Sequence, residues 1–145
     1  MSYTYGPGSK AGDRRVINEI IESAIKRKAI ILKDGGGALR TNLYVRDASR
    51  MILCVLNNPK RGIYNIAGVG KNSIKDIAQI VAKETGSDLS IPENRPGFNV
   101  YAQDFVPVSI EAFCEDYGTP ILTNLTEGLT ETIEWQRRQL YQDVC

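Results

Sequence analysis

Residues 15–47 read "RVINEIIESAIKRKAIILKDGGGALRTNLYVRD", and their periodicity decides the fold class. The first part carries apolar side chains at Val16, Ile17, Ile20, Ile21, Ala24 and Ile25. Steps of three and four place one apolar stripe along a helix. The spacing predicts a helix over 13–28, with Asp13 as its N-cap. Lys26, Arg27 and Lys28 fall where the C-terminal end of the dipole favours cations. "AIIL" (29–32) reads as a short buried strand. "KDGGGA" (33–38) reads as a turn, because three glycines in a row punctuate a chain that must reverse. "LRTNLYV" (39–45) alternates, with Leu39, Thr41, Leu43 and Val45 on one face of a strand. Helix and strand in alternation point to an α/β fold.

Outward from this stretch the pattern continues. "RDASRMILCVLNN" (46–58) reads as a helix with Met51, Ile52, Val55 and Leu56 facing in and Cys54 in the core. Asp47 is its expected N-cap and Pro59 stops it. "GIYNIAG" (62–68) reads as another strand. Ser73 caps a helix over 74–86 in a loose capping box with Asp76, and Gly86 ends it. A short strand at 89–91, a Pro-containing irregular loop, and helices at 109–117 and 126–141 complete the chain. There is no internal repeat and no low-complexity run.

Composition narrows the function classes. A chain of 145 residues suits one domain, burying roughly 70% of its unfolded surface. Eighteen Lys and Arg against 17 Asp and Glu give a net charge of +1. That argues against a nucleic-acid module relying on a large basic excess, because such binding depends on many phosphate neutralisations. It leaves room for a few arginines gathered on one small phosphorylated ligand. Cys54, Cys114 and Cys145 are widely spaced and His is absent, so no metal-ligand spacing exists. These residues read as reduced thiols of a cytoplasmic protein. No stretch reaches the roughly 20 apolar residues of a membrane span.

Several motifs fail on inspection. Around "AGVGKNS" (67–73), Asn65 stands five residues before Gly70-Lys71 and Asn72 right after, where a P-loop needs Gly and Ser or Thr, so the stretch reads as a strand-to-helix turn. "DGGGALR" lacks the spacing of a dinucleotide loop. Without His there is no Ser-His or Cys-His nucleophile pair. None of the seven tyrosines has a Lys four residues on, so a lysine-activated tyrosine is missing as well. No catalytic residue is assigned.

Five stretches in order resemble the C-terminal half of extended short-chain dehydrogenase/reductases, the NAD-dependent epimerases, dehydratases and decarboxylases of nucleotide sugars. "YTYGPG" (3–8) resembles the "N-x-YGP" turn of that family. Residues 15–47 resemble its helix, its glycine-containing turn and its "R-D/x-ϕ-x-YV-x-D" strand. "GIYNIAGVGKNSIKDIAQIVAKETG" (62–86) resembles its "YNIG…S-ϕ-x-E-ϕ-A" segment. "RPGFNVYAQD" (95–104) and "LTEGLTETIEWQR" (125–137) resemble its closing motifs.

The resemblance implies a small mixed α/β substrate-binding domain over 1–145 that lacks the N-terminal Rossmann core. It implies a UDP- or dTDP-sugar as ligand, with Arg40 and Arg95 on the diphosphate. The planar guanidinium fork suits that group. Arg15 and Val16 fall where the family helix meets the nucleotide, Ile31 and Lys33 on the strand beside the pyrimidine, and Thr4 at the sugar. NAD is implied for the full-length family enzyme, but no cofactor for this chain alone, and the expected activity of the chain by itself is nil. The other reading is a non-enzymatic interaction module that self-associates or pairs with a separate Rossmann half.

Overall fold

The structure, a computed structural model, describes residues 2–9, 12–93 and 107–142. It is a mixed α/β fold. The order is β1 (Tyr3–Tyr5), α1 (Val16–Arg27), β2 (Ala29–Ile31), β3 (Leu39–Arg40), β4 (Asn42–Tyr44), α2 (Val45–Asn57), β5 (Asn72–Ser73), α3 (Ile74–Thr85), β6 (Asp88–Ser90), α4 (Glu111–Tyr117) and α5 (Leu125–Gln142). The strands form three two-stranded sheets: β1 with β4 and β2 with β6, both parallel, and β3 with β5, antiparallel.

Two cores hold these elements. In the larger, Ile20, Ile21 and Ala24 of α1 meet Ile77, Ala78 and Val81 of α3 and Leu129 and Ile133 of α5. Each fully buried Ile, Val or Leu stabilises the fold by about 1.5–3 kcal/mol relative to exposure. The smaller core joins Leu43, Ala48 and Met51 to Ile66, Ala67, Ile110 and Phe113. Ser73 and Asp76 form the expected reciprocal capping box, and Gly86 ends α3 in the left-handed region. The glycine turn is held by Lys75 N–H donating to Gly36 O at 2.9 Å. A Cβ on Gly36 would lie 2.9 Å from the Lys75 nitrogen, so only glycine fits there.

Several local expectations are corrected by long-range contacts. Asp13 does not cap α1; Arg15 takes that place without a side-chain cap, and Asp13 binds Arg15 instead. Asp47 is not an N-cap either. It is buried inside α2 and accepts hydrogen bonds from the Thr123 backbone N–H (2.7 Å) and hydroxyl (3.1 Å), tying the segment before α5 to α2. The strand over 39–45 breaks at Thr41, and Val45 already belongs to α2.

Ile52 and Leu56 do not face in; with Leu53 and Cys54 they lie on an exposed side of α2. Cys54 is therefore not a core residue. The strand over 62–68 does not form. Ser2 N–H donates to Ile66 O at 3.0 Å, but no ladder follows among the described residues. Ile66 and Ala67 are buried all the same.

The β1–β4 sheet meets α5 at a close contact. Tyr5 and Tyr44 pack with ring centroids 5.6 Å apart. A Cβ on Gly128 would lie 2.3 Å from the Tyr5 hydroxyl oxygen and 3.1 Å from the Tyr44 ring. The Tyr44 hydroxyl donates to Glu131, which also pairs with Arg46 at 2.8 Å. Burial, then the bond to Glu131, push the Tyr44 phenol up to about 12.

In an open helix Gly→Ala stabilises by about 0.8–1.0 kcal/mol. At Gly128 the sign reverses: Gly128→Ala is expected to lower stability by about 1–3 kcal/mol, the cost of overpacking a closed site. Adding Tyr5→Phe removes the nearest atom and recovers part of the loss. Urea denaturation of the three variants checks both signs.

Candidate functional site

The candidate site is a groove on the side of the molecule built by β1, the start of α1 and β3–β4. Parallel pairing sets Tyr3 opposite Asn42 and Tyr5 opposite Tyr44. The N-terminal end of α1 closes one wall. A cavity of about 230 Å³ results, and Thr4, Arg15, Val16 and Arg40 all line it. A second cavity of about 550 Å³ is lined by Val16, Ile31 and Lys33. Val16 belongs to both, so the two abut across its side chain. Six of the seven positions chosen from sequence thus line one or other of two cavities that share Val16. The seventh, Arg95, lies outside the described residues.

Each side chain is held in a definable way. Asp13 accepts from the Arg15 backbone N–H and from its Nε (2.8 Å) and Nη2 (2.5 Å), while Arg15 Nη1 donates to the Thr4 carbonyl at 2.7 Å. A guanidinium has five N–H groups, so one remains on each terminal nitrogen. The Arg15 hydrogen bonds hold the Asp13 carboxyl below the ordinary carboxylate range. Arg40 is half-buried, donates from Nη1 to the Leu39 carbonyl at 2.8 Å, and sits 5.8 Å above the Tyr3 ring centroid. That stack holds the guanidinium plane by cation–π attraction. Lys33 is exposed.

Ile31 corrects the expectation of a wholly buried strand over 29–32. The β-strand alternation turns Ile30 and Leu32 inward and leaves Ile31 76% exposed at the wall of the larger cavity. An exposed isoleucine there is an apolar platform, not core.

Sequence reasoning missed Tyr3, Asn18 and Asn42, which also line the smaller cavity. Counted back from Tyr5-Gly6-Pro7, the first place of the "N-x-YGP" turn falls on Tyr3, with Thr4 one place later. Asn18 is buried and accepts from Gln136 Nε2 at 3.1 Å, linking α1 to α5. Its helical spacing to the apolar stripe was legible; its polar partner, 118 residues away, was not.

No group of His, Cys, Asp and Glu among the described residues could hold a metal ion. The glycine-rich turn does not fit a dinucleotide either. Gly36 O and Ala38 O accept from Lys75 and Ile74 N–H, so the turn covers the α3 N-terminus instead of offering its amides to a phosphate. No helix among the described residues is long and apolar enough to cross a membrane.

Comparison with known proteins bears on the fold. Residues 1–67 match the NAD dependent epimerase/dehydratase family. UDP-glucuronic acid decarboxylase 6 of Arabidopsis thaliana is 27% identical over 95 residues, 64% of this chain and 28% of that protein. Among solved structures, the Bordetella bronchiseptica enzyme WbmF in complex with NADH superposes with a TM-score of 0.81 at 27% identity, over 96% of this chain and 44% of that one. UDP-glucose 4-epimerase from Thermotoga maritima, solved with UDP-glucose, gives 0.78 at 21% identity over 96% and 45%. The chain thus spans under half the length of these solved proteins and about a quarter of the curated relative. By these matches the chain is similar to the NAD-dependent epimerase/dehydratase family over residues 1–67, and over 96% of its length it shares part of the fold of the solved proteins.

The Asp13–Arg15 pair is open to direct test. The Asp13 carboxyl is expected to titrate below an ordinary aspartate in carbon-detected NMR, and Arg15→Gln to return its midpoint upward. An Asp13 midpoint unmoved by Arg15→Gln would mean that the pair does not form.

Proposed function

We propose that this chain is the nucleotide-sugar-binding portion of an NAD-dependent sugar epimerase or dehydratase, of the UDP-glucose 4-epimerase or dTDP-glucose 4,6-dehydratase type, and is inactive alone. The observation that carries this reading is the convergence of Thr4, Arg15, Val16 and Arg40, from three separate stretches, on one cavity. The diphosphate of a UDP- or dTDP-sugar lies between Arg15 and Arg40, which offer charge-assisted donors. The pyrimidine lies past Val16 against Ile31, with Lys33 at the rim. Thr4 and Tyr3 face the sugar. Arg95 joins the diphosphate contacts. NAD chemistry belongs to the larger enzyme, because no residue of this chain is assigned a catalytic part. Cys54 is exposed and Cys114 partly so, which suits the reducing cytoplasm.

Titration of the isotope-labelled chain with UDP-glucose and dTDP-glucose tests the reading. Weak saturable shifts at Arg15, Arg40 and Ile31 are expected in the millimolar range. Arg40→Gln should weaken binding by about tenfold or more, since a hydrogen bond to a charged group contributes about 1.5–3 kcal/mol. A spectrum that does not respond to either ligand overturns it.

A second reading rests on α2. Ile52, Leu53 and Leu56 are exposed along this helix, Leu56 to 68%, and Ile63 just beyond it to 86%. Contiguous exposed apolar surface marks an association site. We infer a module that self-associates or pairs with a separate Rossmann half through this face. Sedimentation velocity should show concentration-dependent association that Leu53→Glu with Leu56→Glu abolishes. A monomer at all concentrations that also ignores a family Rossmann half excludes the reading.

A further inference from the structure

We infer that Asn42 is a ligand contact and a specificity-determining residue of the groove, a step that rests on the nucleotide-sugar reading above. In the "R-D/x-ϕ-x-YV-x-D" pattern that begins at Arg40, the apolar place falls on Asn42. An apolar side chain there would leave no polar atom to satisfy. Asn42 instead carries a buried carboxamide whose Nδ2 has no hydrogen-bond acceptor among the described residues. A buried donor without a partner is costly, and native proteins retain such groups where a ligand supplies the missing bond.

Its position says which ligand. Asn42 sits opposite Tyr3 in the β1–β4 register, which puts these two side chains on one face, and Arg40 lies two residues before it. All three line the 230 Å³ cavity together with Arg15. Asn42 also lines a neighbouring cavity of about 240 Å³ bounded by Asn72, Thr123 and Asn124, so its amide stands at the wall between the two. As it stands the Nδ2 is closed off from solvent, and a turn of the carboxamide about its Cβ–Cγ bond brings the donor to an oxygen of the group held between the two arginines. That oxygen belongs either to the diphosphate or to a hydroxyl of the sugar. A Cβ on Gly68 would lie 2.0 Å from the Asn42 backbone carbonyl oxygen, so Gly68 packs directly on the Asn42 main chain.

The test uses the whole chain with UDP and UDP-glucose as probes. The Asn42 side-chain amide pair, identified by its loss from the spectrum of Asn42→Leu, is expected to shift on adding UDP-glucose. Asn42→Leu restores the apolar residue and should fold as the parent does by circular dichroism. It should bind UDP-glucose roughly three- to tenfold more weakly, the range of one neutral hydrogen bond. Asn42→Asp keeps the shape, removes the donor and adds a like charge, so it should bind more weakly still. Equal loss for UDP and UDP-glucose places the contact on the phosphates; loss for UDP-glucose alone places it on the sugar. If the parent binds, Arg40→Gln weakens it and Asn42→Leu does not, the Asn42 inference falls while the nucleotide-sugar reading stands. If the parent binds neither probe, both fall together.

Discussion

The pairing of Tyr3–Tyr5 with Asn42–Tyr44 is the constraint on which the rest of this structure depends. It joins segments nearly forty residues apart and does three things at once. It sets Tyr5 against Tyr44 and so makes the surface on which Gly128 brings α5 close. It brings Thr4 next to the start of α1, where Arg15 bonds its carbonyl. It also places Arg40 over Tyr3. A slip of one residue would turn every one of these side chains to the opposite face. Core and groove are therefore specified by the same few residues.

On the nucleotide-sugar reading proposed above, the groove is prepared for an anion before any ligand arrives. Arg15 would sweep a wide volume if free, but Asp13 and the Thr4 carbonyl hold it from both sides. Arg40 is limited by the Leu39 carbonyl and the Tyr3 ring. Fixing long side chains in advance reduces the ordering that a ligand must otherwise impose. Asp13 has a second effect, since its negative charge offsets part of the attraction that Arg15 offers a diphosphate. On the inference drawn above, Asn42 would add a neutral donor to the same wall, discriminating by geometry more than by charge.

Much of the fold was legible along the chain. Ser73 followed by Asp76 announced the start of α3, and Gly86 its end, because a cap is satisfied by atoms within four residues. Asp13 and Asp47 carried the same local signal and mean something else. A carboxylate beside a helix start is equally able to bind an arginine two residues on, or the Thr123 amide 76 residues on. Composition near the helix does not distinguish these outcomes. The 62–68 segment has the alternation of a strand, yet a strand needs a neighbour that donates and accepts along its length, and Ser2 supplies a single backbone bond. Cys54, Ile52 and Leu56 read as core for the related reason that periodicity identifies an apolar face without saying what covers it.

The sequence by itself determined the α/β class, where the helices lie, the capping box and end of α3, and the glycine turn. These follow from period, capping and side-chain chemistry, all of which act over a few residues. Tertiary structure alone decided that Thr4, Arg15, Val16 and Arg40 share one cavity, that Ile31 faces outward, and that Asn42 carries a buried donor without a partner. Each of these depends on which distant backbone lies alongside, and that is settled when α1, α3 and α5 close over the larger core and fix the β1–β4 register.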